Sequence, residues 1–85
     1  MKNLLFYIFL LPSLMLSQNS FLQAEYFFQQ EKFEMAKPLF QEYLEENPTH
    51  KKTKEYLGDI AGYSKDWDLA ISYYENLMLE ESRNA

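Results

Sequence analysis

The sequence predicts an all-α fold of helical hairpins, arranged as two units of 34 residues. Three observations carry this expectation. Ala36, Leu39, Phe40, Tyr43 and Leu44 fall at i, i+3, i+4, i+7 and i+8, the apolar stripe of an amphipathic helix. Ala70, Tyr73, Tyr74, Leu77 and Met78 repeat those five offsets, each 34 residues after its counterpart. The register also holds outside the stripes, because Phe33 maps to Trp67, Ala24 to Gly58 and Phe27 to Ala61 at the same shift. Two unrelated amphipathic helices would share offsets within each stripe but would have no reason to keep register across the helix before it.

The elements follow in chain order. Residues 1–17 read as a secretory signal peptide: a lone Lys2, an uncharged and mostly apolar run Leu4–Leu16, then Ser17, Gln18, Asn19 and Ser20. The apolar run is shorter than the roughly 18–20 residues that cross a bilayer. Cleavage is expected after Ser17, although Met15 departs from the small residue usual two positions earlier. The competing reading is an uncleaved anchor. Residues 18–50 form the first unit and residues 51–85 the second. The stretch "ENPTHKK" breaks the chain between them at Pro48, with Thr49 as the expected cap of the helix that follows. Asp66 is placed to cap the last helix. Lys51, Lys52 and Lys54 lie near the positive end of their helix dipole, a small unfavourable effect, and Pro38 lies about a turn inside its helix, forfeiting one backbone hydrogen bond.

Composition narrows the function classes. A hydrophobic fraction of 47% and an aromatic fraction of 18% exceed those of a disordered chain. With only 2 Gly and 3 Pro there is little turn material for a sheet of short strands. The net charge of −5 gives a nucleic acid no electrostatic footprint. The absence of cysteine removes disulfides, thiolate metal sites and attachment of lipid through a Cys.

No residue pattern supports catalysis or a cofactor. His50, the single histidine, sits in the inter-unit turn beside two lysines and reads as a solvated turn residue, not a metal ligand. Glu45 and Glu46, like Glu80 and Glu81, are adjacent and so point around a helix instead of toward one reacting atom. Ser64 and Ser72 have no acid and histidine grouped with them. "GDIAG" has small-xxx-small spacing, but with Lys54, Glu55, Asp59 and Lys65 around it the spacing is better explained by close helix packing in water. There is no phosphate-cradling loop.

A 34-residue period of paired helices resembles the tetratricopeptide repeat, whose pattern is W-x2-L-G-x2-Y, then A-x3-F, then P. "YLGDIAGY" supplies Leu57-Gly58, "AISYY" supplies Ala70 and Tyr74, and "AKPLF" supplies Ala36 and Phe40, with Pro48 eight residues on. "KFEMA" and "DWDLA" resemble the opening of the family's second helix. Four places depart: Lys54 stands for the Trp, Ala61 for the Tyr, Ser82 for the second Pro and Gln23-Ala24 for Leu-Gly. The resemblance covers residues 18–85. It implies an α-solenoid whose concave face is lined by the first helix of each unit, used to bind a peptide or partner protein. By register, that face falls to Phe21, Glu25 and Phe28 in the first unit and Lys52, Glu55, Asp59 and Tyr63 in the second. One use of the family is a Lys, Asn and Arg clamp on a partner's C-terminal carboxylate. The matching places here are Phe21/Glu25 and Glu55/Asp59, aromatic or acidic, so that partner class is rejected. The expected ligand is a neutral or basic extended segment contacting Phe21, Phe28 and Tyr63.

The expected function is therefore an exported, periplasmic or secreted protein-interaction scaffold without a cofactor, meeting the membrane only through its signal peptide. The alternatives are the leading part of a larger envelope protein, such as a sensor or enzyme, and an envelope-assembly factor. The missing lipid-attachment cysteine argues against the last. Two units are fewer than the about three usually needed, and the last helix carries Tyr73, Tyr74, Leu77, Met78 and Leu79 with no helix after it. Further units beyond Ala85 are the first expectation, and self-association through that helix the second.

Overall fold

A computed structural model describes residues 20–84. They form α1 (Ser20–Gln29), α2 (Phe33–Glu46), α3 (Lys51–Tyr63) and α4 (Trp67–Asn84), with no strand among the described residues. The all-α expectation is met. The expected signal segment, residues 1–17, lies outside the described residues. Each helix packs on the next in sequence: α1 on α2, α2 on α3, and α3 on α4. Among the described residues no helix is long and apolar enough to cross a membrane.

The backbone hydrogen bonds that close α1 and α3 recur at a shift of 34 residues. The Lys32 N–H donates to the Phe27 carbonyl and the Asp66 N–H to that of Ala61, both at 2.9 Å. The Glu31 N–H donates to Phe28 at 2.9 Å, and the Lys65 N–H to Gly62 at 3.0 Å. These are the two bonds of a Schellman motif, which closes a helix by satisfying its last carbonyls. The motif needs a left-handed residue, and Glu31 (φ 61°) and Lys65 (φ 63°) supply it where glycine is usual. One residue later each chain turns into the next helix, with Ala36 donating to Lys32 and Ala70 to Asp66, both at 3.0 Å.

Small residues let the helices of each hairpin approach. Ala24 and Ala36 are fully buried between α1 and α2, and Ala61, Ala70 and Gly58 are buried between α3 and α4. Gly58 shows how close the approach is. A Cβ built there would lie 2.9 Å from Cε1 of Tyr74, whose ring lies over the glycine. In the first hairpin Phe40, the counterpart of Tyr74, is itself fully buried. Burying one phenylalanine stabilises by about 1.5–3 kcal/mol.

The α2–α3 junction joins the two hairpins. Tyr56 stacks on Phe40 and Tyr63 on Phe33, with ring centroids 4.6 and 4.7 Å apart. The cap of α3 is not Thr49, as the sequence suggests, but His50. Its Nδ1 accepts the Thr53 N–H at 3.3 Å and lies 2.8 Å from Thr53 Oγ1, while its ring meets Phe21 and Tyr43 edge-on. His50 is thus a half-buried capping residue and not a solvated one. The reason is local: Pro48 and Thr49 form the turn proper, and the Asn47 carbonyl accepts the His50 N–H, which brings the imidazole over the first turn of α3. Asp66 does cap α4, accepting the Leu69 N–H at 3.4 Å. Lys54 also departs from expectation. It is buried, and its Nζ donates to Asn76 Oδ1 at 2.8 Å and to Glu80, tying α3 to α4.

Candidate functional site

The seven residues expected to line a binding face divide between two neighbouring regions. Phe21, Glu25 and Phe28 lie at i, i+4 and i+7 on α1, which puts them on one face. All three turn toward Tyr56 of α3. The Tyr56 ring lies 6.0 Å from Phe21 and 4.7 Å from Phe28, and its hydroxyl donates to Glu25 Oε2 at 2.6 Å. Phe21 and Phe28 are therefore half-buried and spend much of their surface inside the molecule. Tyr63 extends the same row. It stacks on Phe33, lies 6.3 Å from Phe28, and keeps 63% of its surface exposed. At the other end Lys52 Nζ lies 5.2 Å over the Tyr56 ring.

Glu55 and Asp59 face a different way, into a groove between α3 and α4 that Tyr74, Leu77, Met78 and Glu81 complete. Glu55 is exposed and meets Lys52 at 3.7 Å. An exposed pair of this kind is worth under about 1 kcal/mol, so it leaves Glu55 able to take another cation. Asp59 accepts the hydroxyl of Tyr74. The carboxylates Glu55, Asp59 and Glu81 with the apolar Tyr74, Leu77 and Met78 make a groove that can hold an apolar stem with a cationic head.

The tyrosines report the local field. The Tyr56 hydroxyl is pushed up to about 12, first by burial and then by Glu25, whose carboxylate accepts its proton and opposes a second negative charge. Tyr74 is pushed up to about 12, chiefly by its hydrogen bond to Asp59 and then by burial. Burial raises Tyr73 as well. Both short tyrosine–carboxylate bonds fix an acid's orientation: Glu25 is tied to the next hairpin, Asp59 to its own.

Tyr56 is the residue that the reading of the binding face passed over. Its signal lies in the sequence, since Tyr56, Ile60 and Tyr63 fall at i, i+4 and i+7 and mark a second apolar edge on that helix. Glu80 and Glu81 do point apart, Glu80 toward Lys54 and Glu81 toward the groove. Among the described residues no three His, Cys, Asp or Glu side chains converge as a metal site. No protein-family model, curated protein or solved structure matches the chain.

Proposed function

We propose that the chain is an exported protein-interaction scaffold of tetratricopeptide type, which holds a neutral or basic extended segment of a partner along α1 and α3. The observation that carries this reading is the repetition of one hairpin, turn for turn, at a 34-residue shift. Stacked hairpins of this kind present a continuous surface whose chemistry is set by the outward residues of successive helices. On that surface Tyr63 offers an exposed ring, and the edges of Phe21 and Phe28 flank Tyr56. Glu55 supplies an exposed carboxylate, and the one cation of the set, Lys52, is already beside it. An acidic or carboxylate-terminated partner meets repulsion there, and a basic one attraction.

Binding to an array of basic, neutral and acidic peptides tests the reading. Glu55→Lys is the cleanest variant, because Glu55 and its ion-pair partner Lys52 are both exposed. It should abolish the preference for basic peptides, with helix content by circular dichroism unchanged, and Asp59→Lys should do the same at some cost in stability. An unchanged preference in Glu55→Lys would count against the reading. Export is tested separately by mass spectrometry of the protein outside the cytoplasm. A mature N-terminus after Ser17 is expected, and a chain found only intact and inside the cell contradicts export.

A further inference from the structure

Phe33 and Phe40 lie seven residues apart on α2, and α3 covers them with two tyrosines that are also seven apart. Tyr63 lies on Phe33 with the ring planes 19° from parallel, and Tyr56 on Phe40 with 16°. The order is antiparallel, the later tyrosine meeting the earlier phenylalanine. Thirty-four residues on, α4 repeats the lower half of this arrangement. Trp67 and Tyr74 occupy the places of Phe33 and Phe40, and Ile71 and Met78 complete one stripe at i, i+4, i+7 and i+11. These four side chains are 61, 40, 53 and 68% exposed, whereas Phe40 is at 0%. The molecule thus shows on α2 what a covered face of this design carries: an antiparallel helix with two rings at a spacing of seven.

The edges of the α4 stripe define the charge of what covers it. Asp68 and Glu75 follow along one edge by helical spacing, and Glu81 lies on the other, beside Glu55 and Asp59 of α3 across the groove. By helical spacing the first edge carries no Lys or Arg. On the second, Lys52 lies 3.7 Å from Glu55, while Asp59 and Glu81 face the groove with no ion pair among the described residues. We propose that this stripe is a docking surface for a cationic amphipathic helix of another protein, which lays two large apolar side chains seven residues apart on Tyr74 and Trp67 and sets Lys or Arg against both acidic edges. The inference rests on the reading of the chain as an interaction module, but it names the α4 stripe, which shares only the Glu55–Asp59 edge with that surface, and a helical instead of an extended ligand. A second copy is the weaker occupant. Pairing α4 with α4 sets Glu75 and Glu81 against their own kind, and the outward face of α1 offers Leu22 and Tyr26 among Gln23 and Gln29, with no cation. Anionic lipid is opposed by the same carboxylates.

The chain has one tryptophan, and it lies in the stripe. The probe is a synthetic helical peptide with tyrosines seven residues apart, an isoleucine between them in the pattern of Tyr56, Ile60 and Tyr63, and lysines along both edges. Titrated into the full chain, it should shift Trp67 emission to the blue and saturate. Its affinity should fall at least about tenfold when its lysines are exchanged for glutamates, and likewise in Ile71→Glu or Met78→Glu. Glu75→Lys should weaken it several-fold and flatten its salt dependence. No shift with a helical chain, equal binding of the glutamate peptide, or unaltered binding by Ile71→Glu each overturns the proposal. So does a wild-type dimer that Ile71→Glu dissolves, which assigns the face to a second copy, or an equal shift with anionic vesicles. Ile71→Glu should leave the array preference for extended basic peptides unchanged, whereas Glu55→Lys acts on an edge common to both surfaces, so Ile71→Glu is the variant that separates the two readings.

Discussion

Lys32 and Asp66 hold the same place in their turns, yet only Asp66 caps the helix that follows. Lys32 makes no side-chain cap bond to α2: the Met35 N–H, counterpart of that of Leu69, falls back on the Lys32 carbonyl at 3.2 Å in place of the carboxylate acceptor that α4 receives. Lys32→Asp copies the second turn into the first and also places a negative charge at the positive end of the helix. Stability should rise by about 1 kcal/mol, read from chemical denaturation followed by circular dichroism; a loss would mean that the two turns are not equivalent. Tyr56 gives a prediction in pH. Its hydroxyl has an ordinary value of 10.0 and about 12 in the fold. Between these values the unfolded chain releases a proton that the folded chain keeps, so stability is fully present below the lower value and is lost as pH rises toward the upper one. The stability lost across that window should be smaller in Tyr56→Phe, with the remainder carried in part by Tyr74. An equal loss in the variant would show that burial and the bond to Glu25 do not hold the Tyr56 hydroxyl protonated in the fold.

At the scale of the element, each hairpin depends on a small-residue contact. Ala70 is buried against α3, and Ala70→Leu should cost about 1–3 kcal/mol by overpacking. Gly58→Ala sets two effects against each other. The new Cβ meets Tyr74 at 2.9 Å, but alanine favours the helix by about 1 kcal/mol over glycine. The first hairpin already carries Ala24 beneath Phe40, so the second should accept alanine with a net change within about 1 kcal/mol, measured by the same denaturation. A cost near that of Ala70→Leu would contradict the equivalence of the two contacts. These positions were legible in the sequence because helix packing repeats with a fixed period, so Ala24, Ala36, Gly58 and Ala70 announced themselves through spacing alone. Lys54 was not legible. Its partners lie 22 and 26 residues away and meet it only when α3 and α4 pair, so a lysine near a helix start read as a dipole cost and not as a clamp. The cap of α3 fell one residue from its expected place because an imidazole can accept a backbone N–H as a hydroxyl does. The binding face was legible as a set of residues on two helices. Its division into a Tyr56 cluster and an α3–α4 groove depended on side-chain directions that spacing does not encode.

At the scale of the molecule, the described residues form two hairpins joined through one helix–helix junction, with Phe33 and Phe40 covered on α2 and Trp67 and Tyr74 open on α4. Stability in such an array is a sum of units and the junctions between them. A designed third unit, residues 47–84 joined after Glu80, keeps the 34-residue register, the Asn47–His50 turn and the Glu80 partner of Lys54. In a repeating architecture its first helix covers α4 as α3 covers α2. Equilibrium denaturation of this three-hairpin chain beside the natural one tests the central claim, that the two hairpins are copies of one stackable unit. A single transition is predicted, with a higher midpoint and a steeper denaturant slope, because one junction and one unit join the same cooperative fold. Two separate transitions, with the original at its old midpoint, would contradict it.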